Sequence, residues 1–264
     1  MTEALILDNL RVRVGATPLV HGISLELRSG ESVALLGHSG SGKSLTAATI
    51  TGSLSRLLDA TGELTIEGQK VDLMSSKRPK GRIACVQQDS SSALNPLVRV
   101  GPQLEVPLRN AGMSADAGHA RAVEVLDACG IEDPERVLRS YPAELSGGQR
   151  QRVCIALALL CEAKILVADE PTTALDVVSQ AQVLDTLAAA RQSAGLALLF
   201  ITHDIAAASQ ICDRAVVLQD GRVVEEGYFE ALINRPQHPY TRELVEAVRE
   251  QDALRAVGVP ESSA

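Results

Sequence analysis

Apolar and polar residues alternate along the first stretch of the chain. From Leu5 to Leu27 the alternation runs on both sides of a Gly15-Ala16-Thr17-Pro18 turn, and Gly62 to Gly68 repeats it, which predicts half-buried antiparallel strands. Four short, mostly apolar runs, Ser32–Leu36, Arg82–Val86, Ile165–Ala168 and Ala197–Ile201, predict buried strands instead. Helical spacing separates them. Lys43–Ile50, Ala117–Cys129 closed by Gly130, Gly148–Cys161, and Val177–Ala194 opened by Asp176 and stopped by Gly195 read as helices, with a short one from Asp204. Periodicity is helical from Ser90 to Glu144, so a helical lobe is expected between two core strands. Ala215–Leu218, an Asp220-Gly221 turn and Arg222–Val224 predict a hairpin, Thr241–Glu250 a last helix, and Gly258–Ala264 a frayed tail. No internal repeat is evident.

Composition narrows the function classes. The 264 residues, 45% of them hydrophobic, can bury a full core as one large domain or a domain plus a lobe. A net charge of −8 and 2% aromatic content argue against nucleic acid as a partner, because phosphate backbones need clustered Lys and Arg and single strands need stacking platforms. The apolar run Val153–Cys161 is far below the ~18 residues a bilayer span needs. Met1-Thr2-Glu3-Ala4 carries an acid where a signal peptide has basic residues, so a cytosolic chain is expected. Five scattered cysteines, 85, 129, 154, 161 and 212, without C-x-x-C spacing, read as small buried hydrophobes.

Candidate chemistry starts at Gly37-His38-Ser39-Gly40-Ser41-Gly42-Lys43-Ser44, which fits G-x-x-x-x-G-K-[ST]. In such a turn successive backbone N–H groups converge on phosphate oxygens, Lys43 reaches the β/γ-phosphates and the Ser44 hydroxyl takes Mg²⁺. A strand before it and a helix after it supply the required context, and the helix N-terminus adds a favourable potential for anions. At the end of Ile165–Ala168 come Asp169 and Glu170. Carboxyl ends of strands are where open parallel sheets bind ligands, so Asp169 is expected to hold the metal. Glu170, one position on, cannot share that orientation and is better aimed at polarising the water that attacks the γ-phosphorus.

Leu145-Ser146-Gly147-Gly148-Gln149, followed by Arg150-Gln151-Arg152, resembles the signature of ATP-binding-cassette (ABC) ATPases. The resemblance implies an α/β fold, a RecA-like phosphate-loop core with an antiparallel β-subdomain and an inserted helical subdomain. On that reading residues 1–241 form the cassette, with the helical lobe at about 90–150, and 242–264 a short C-terminal helix and tail. ATP and Mg²⁺ are the implied ligands. Ser146, Gly147, Gly148 and Gln149 would form a second phosphate site used in trans, closing on the γ-phosphate held by another cassette's loop. Gln88 resembles the Q-loop glutamine that senses Mg²⁺ and the attacking water, Ala174-Leu175-Asp176 the D-loop, and His203 the switch histidine on the γ-phosphate. One departure stands out: Leu10-Arg11-Val12-Arg13-Val14 lacks the aromatic that usually stacks on adenine, which leaves Arg13 or Val14 for base recognition.

The family resemblance also implies partners: a second cassette, two membrane permeases docked at the helical lobe and the Gln88 loop, and an extracytoplasmic binding protein. The chain would then sit peripherally on the cytoplasmic face of the cell membrane. Arg235-Pro236-Gln237-His238-Pro239-Tyr240-Thr241 and Ser92-Ala93-Leu94-Asn95-Pro96-Leu97 resemble the peptide/nickel branch of ABC importers. With 23 residues after Thr241, none of them Cys, and Pro18–Leu25 near the start, the chain looks closer to nickel-importer ATPases. The alternatives are a dipeptide or oligopeptide importer ATPase, or a soluble ABC ATPase outside transport.

Overall fold

The computed structural model describes residues 2–79, 81–87, 93–173 and 175–256. Two sheets organise it. β1 (Glu3–Val14), β2 (Thr17–Arg28), β4 (Asp59–Ile66) and β5 (Gln69–Val71) form an antiparallel sheet in the order β2-β1-β4-β5. The alternation read from the sequence is its inward face: Leu5, Leu7, Leu10, Val12, Leu25 and Leu27 are buried.

The second sheet has the order β10-β9-β3-β8-β7-β6. Its strands β3 (Ser32–Leu36), β6 (Ile83–Val86), β7 (Ile165–Asp169), β8 (Ala197–Thr202) and β9 (Arg214–Gln219) are parallel, and β10 (Arg222–Tyr228) closes the edge antiparallel to β9. Helices cover one face and the antiparallel sheet the other, which is why these strands read as unbroken apolar runs. Side chains alternate between the two layers. Val33, Leu35, Val167, Leu199 and Ile201 pack with the antiparallel sheet and α1 (Lys43–Thr51), whereas Ala34, Leu36, Leu166, Ala168 and Phe200 pack with the helices.

Between β6 and β7 run α2 (Val100–Asn110), α3 (Ala115–Ala128), α4 (Pro134–Arg139), a single 3₁₀ turn at Pro142–Glu144 and α5 (Gly147–Leu160). Ser114 caps α3 by accepting the Ala117 N–H at 3.3 Å, and Gly130, at φ +75°, breaks the chain after it. After β7 come α6 (Val177–Ala194) and, beyond β8, α7 (Ile205–Ile211), with Asp176 and Asp204 as their N-caps. Two helices end the described chain: α8 (Phe229–Asn234), which the sequence pattern did not single out, and α9 (Pro239–Ala256). α9 crosses the 241/242 division without a break. No helix among the described residues is long and apolar enough to cross a membrane.

The cysteine reading needs one correction. Cys129, Cys154 and Cys212 are buried and Cys85 partly so, but Cys161 is exposed because it caps the last turn of α5, its thiol on the Leu157 carbonyl at 3.3 Å. Burial pushes the Cys129 thiol up to about 12, which keeps it protonated and inert.

Candidate nucleotide-binding site

Three strand ends meet at one edge of the parallel sheet. Since β8 lies between β3 and β7, the loop after β3, the acids after β7 and His203 after β8 are brought together by topology alone. A cleft of about 470 Å³ opens there, with walls that include Ser39, Gly40, Lys43, Ser44, Glu170 and His203; Gly37, Ser41 and Asp169 are not part of its lining. A larger groove, of about 820 Å³, opens between α3 and α6. It contains none of the motif residues, so size does not identify the site and chemistry does.

The loop curls as its glycines allow. Gly37, Gly40 and Gly42 have φ of +149°, +82° and +102°. At Gly37 a Cβ would run into the Leu218 carbonyl and approach the Ser41 hydroxyl at 2.6 Å. Gly42 caps α1 in the left-handed conformation without a side-chain cap, so the first-turn N–H groups face the cleft uncompeted. Lys43 lies under the turn, its ammonium donating to the carbonyls of Gly37 at 2.6 Å and His38 at 3.1 Å. Burial pulls its pKa below the usual lysine value, and the nearby Glu170 and Asp169 charges pull the other way.

The loop is braced from outside. The Gly221 N–H donates to the Ser41 carbonyl at 3.1 Å, and the His21 N–H to the Gly221 carbonyl at 2.8 Å. This ties the β9–β10 turn and β2 to the phosphate loop. The His38 N–H donates at 2.9 Å to the hydroxyl of Tyr240, on α9. His38 therefore lines the cleft, but its amide is committed away from a phosphate.

Asp169 ends β7, paired with Ile201, and one of its oxygens is buried without a partner. Burial raises its pKa and so does Glu170, while Lys43 and a hydrogen bond from the Ser44 hydroxyl lower it. An oxygen set of Ser44 and Asp169 fits a small hard cation that keeps several waters and phosphate oxygens as its other ligands. Among the described residues no cluster of three or more His, Cys, Asp or Glu could hold a metal by itself.

Glu170 adopts φ +50°, a conformation that costs of order 1–3 kcal/mol for a side-chain-bearing residue. Its N–H donates to the Ile201 carbonyl at 2.8 Å, which holds the strained turn. Only 8% of Glu170 is exposed. One carboxylate oxygen accepts from the Thr173 hydroxyl at 2.6 Å; the other meets His203 Nδ1 at 2.9 Å. Since an ionised carboxylate only accepts, Nδ1 carries the proton in that contact. Neither Thr173 nor Tyr240 was among the expected site residues. Thr173 follows the acids by three positions, and Tyr240 sits in the Arg235–Thr241 segment read only as a family marker.

The second expected phosphate site stands apart. Ser146 to Gln149 do not line the cleft. Ser146 caps α5, its hydroxyl oxygen accepting the Gln149 N–H at 3.2 Å while Gln149 Oε1 accepts the Ser146 N–H at 3.2 Å. This box leaves the Ser146 hydroxyl proton for an outside acceptor. A Cβ at Gly147 would meet nothing within 4 Å, so a ligand can approach the backbone there. Gln88 and Ala174 lie outside the described residues. Arg13, a candidate for base stacking, pairs with Asp59 at 3.3 Å.

Comparison with known proteins bears on the same residues. Residues 20–173 match the family described as ABC transporter. The dipeptide transport ATP-binding protein DppD of Bacillus subtilis is 38% identical over 96% of this chain and 78% of its own length. A Brucella melitensis protein described as a candidate peptide import ATP-binding protein is 41% identical over 90% of this chain and 74% of its own. Among solved structures, a dimer of the ATP-binding cassette MJ0796 bound to ADP and phosphate superposes with a TM-score of 0.74 at 30% identity, covering 85% of this chain and 98% of that one. On the family match and these relatives, the chain belongs to the ABC transporter family as an ATP-hydrolysing cassette.

Proposed function

We propose that this cassette is the ATPase of a peptide importer, working as one of two cassettes beneath separate membrane permeases and fed by an extracytoplasmic binding protein. The observation that carries the cargo class is the pair of relatives named for dipeptide transport and peptide import, each aligned over nine-tenths or more of this chain. The expectation of nickel rested on a short tail and on Pro18–Leu25, and neither of these relatives is named for nickel. Its location is peripheral, on the cytoplasmic face, reached through the permeases.

In this reading the uncommitted N–H groups of the Gly37–Ser44 loop, His38 excepted because its N–H is bonded to Tyr240, bind the triphosphate with the Lys43 ammonium, and Ser44 and Asp169 would hold Mg²⁺, with Gln88 near the attacking water. When bound, Mg²⁺ neutralises charge on the β- and γ-phosphate oxygens. Glu170 takes the proton of the attacking water, oriented by its bonds to Thr173 and His203. The His203 ring, 60% exposed at its side chain, donates from Nε2 to the γ-phosphate only as the imidazolium, since Nδ1–H is already turned to Glu170. The Ser146–Gln149 tip of one cassette closes on the γ-phosphate of another, so hydrolysis needs two cassettes. ATP then favours the closed pair, and hydrolysis releases it, which supplies the differential affinity that transport requires.

The test uses the assembled transporter in vesicles with its binding protein. Di- or oligopeptides are expected to stimulate ATP hydrolysis and accumulate in the lumen, with Ni²⁺ inert in both measurements. Stimulation by Ni²⁺ or its chelates alone would move the cargo to the nickel arm of the branch. Recovery of the chain in a soluble complex with ribosomes or DNA would overturn transport altogether.

A further inference from the structure

We propose that Tyr240 is a positioning residue of the nucleotide site: its hydroxyl holds the Gly37–His38 peptide plane in the orientation from which the loop grips a triphosphate. The inference rests on the nucleotide-binding reading of the cleft and adds a component that none of the phosphate-site motifs contains. The family match ends at residue 173, well before Tyr240.

A trans peptide is planar, with its C=O and N–H pointing in opposite directions. Both edges of the Gly37–His38 plane are held. The His38 N–H donates to the Tyr240 hydroxyl at 2.9 Å, and the Gly37 carbonyl accepts from the Lys43 ammonium at 2.6 Å. Turning the plane would swing that carbonyl off Lys43, and it would first have to break the bond to Tyr240. Gly37 is where such a turn would otherwise be easy, because it has no Cβ and already sits at φ +149°. Around Ser41 the loop has the brace from Gly221, itself held by His21. At His38 the side-chain hydrogen bond from outside the loop comes from Tyr240.

Tyr240 can act as a brace because it is itself fixed. It is 8% exposed, and its ring meets the His38 imidazole edge-on, centroids 5.5 Å apart at 89°. The segment before it is clamped to β10, where the Glu225 carboxylate accepts the N–H groups of Gln237 at 2.8 Å and His238 at 2.9 Å. Partial burial works against the Glu225 charge, yet the N–H groups of Gln237 and His238 help hold the carboxyl below its usual range. Arg242 closes the turn from the other side, donating to the Pro236 carbonyl at 3.2 Å and the Gln237 carbonyl at 2.8 Å. The Arg235–Thr241 motif thus runs from the hairpin to the phosphate loop. Its role is to hold the Gly37–His38 plane through the Tyr240 hydroxyl.

Tyr240→Phe tests this, since it keeps the ring and its packing and removes one hydroxyl. Amide exchange at His38 in the full chain is expected to speed up at least tenfold. ATP affinity, titrated with a fluorescent ATP analogue, is expected to fall about fivefold, the factor that one neutral hydrogen bond carries. KM for ATP should rise in step while kcat falls by less. Glu225→Gln should shift the same quantities in the same direction by a smaller factor. Unchanged His38 exchange with unchanged affinity would overturn the proposal, as would a loss confined to kcat and melting temperature at constant KM. If the wild-type chain itself binds no ATP, the nucleotide reading fails and this inference with it, an outcome separate from a silent Tyr240→Phe.

Discussion

The two helix N-termini proposed to meet phosphate in this cassette are built in opposite ways. α1 begins at Gly42 with no side-chain cap and is enclosed by β2, the β9–β10 turn and α9, so its first-turn N–H groups stay open to a ligand inside a braced cleft. α5 begins at Ser146, whose side chain and that of Gln149 close the first turn reciprocally on an exposed tip. The first site depends on its surroundings for its shape; the second carries its shape within four residues. A pocket that must hold a tetravalent anion benefits from open donors and rigid walls. A tip that, as proposed, engages another cassette benefits from being folded before it arrives, because ordering it on contact would subtract from affinity.

The sharpest break between the two regions comes at Glu170. Glu170→Gln should lower turnover by about 10³-fold, within the range that positioned proton transfer supplies, while ATP binding at the α1 site persists. Single-turnover hydrolysis and analogue binding on the same preparation check it. Residual turnover within tenfold of wild type would remove the proton-accepting role.

Ser146→Ala probes the other region. A lost N-cap costs about 1 kcal/mol, a drop of roughly 2–4 °C in melting temperature for a chain of this size. Loss of one phosphate donor in the closed pair should lower turnover by about 10²-fold. Binding to a single cassette should be untouched, since Ser146 does not line the α1 cleft. Weakened binding at cassette concentrations too low for pairing would show that the two regions are not separate.

How legible each region was in the sequence follows from the same contrast. The signature tip is local: capping box, glycines and helix start are all within Leu145–Arg152, so its reading needed no tertiary information. The α1 cleft was half legible. Glycine spacing and strand-loop-helix order announced the loop, and the apolar runs announced the strands whose carboxyl ends meet there. Its braces are long-range, from His21, Gly221 and Tyr240, and no period or spacing links residue 38 to residue 240. The left-handed turn at Glu170 was also hidden, because a side-chain-bearing residue at positive φ is held by tertiary contacts and not by its own preference. Cargo was not legible: a short tail and Pro18–Leu25 suggested nickel, whereas the relatives fit the peptide alternative better, and neither segment lines the cleft.

The smallest predicted effect has the opposite sign in the two regions. Asp169 is half-buried with one oxygen unpartnered, and burial together with Glu170 raises its pKa despite Lys43 and Ser44. The folded chain therefore keeps this proton at a pH where the unfolded chain has released it. Its contribution to stability is fully present below the ordinary carboxylate pKa and is lost as pH rises through the raised one. At neutral pH the charge is a net cost carried for its ligand. Asp169→Asn should raise the melting temperature of the nucleotide-free chain by a few degrees at pH 7 and leave it nearly unchanged near pH 3, while Mg²⁺-dependent turnover falls. Ser146→Ala, by contrast, can only lower the melting temperature, because the tip stores no such cost. A melting temperature for Asp169→Asn below wild type at pH 7 would mean that Lys43 depends on Asp169 more than Asp169 suffers from burial, and the contrast between a strained pocket and a relaxed tip would fail.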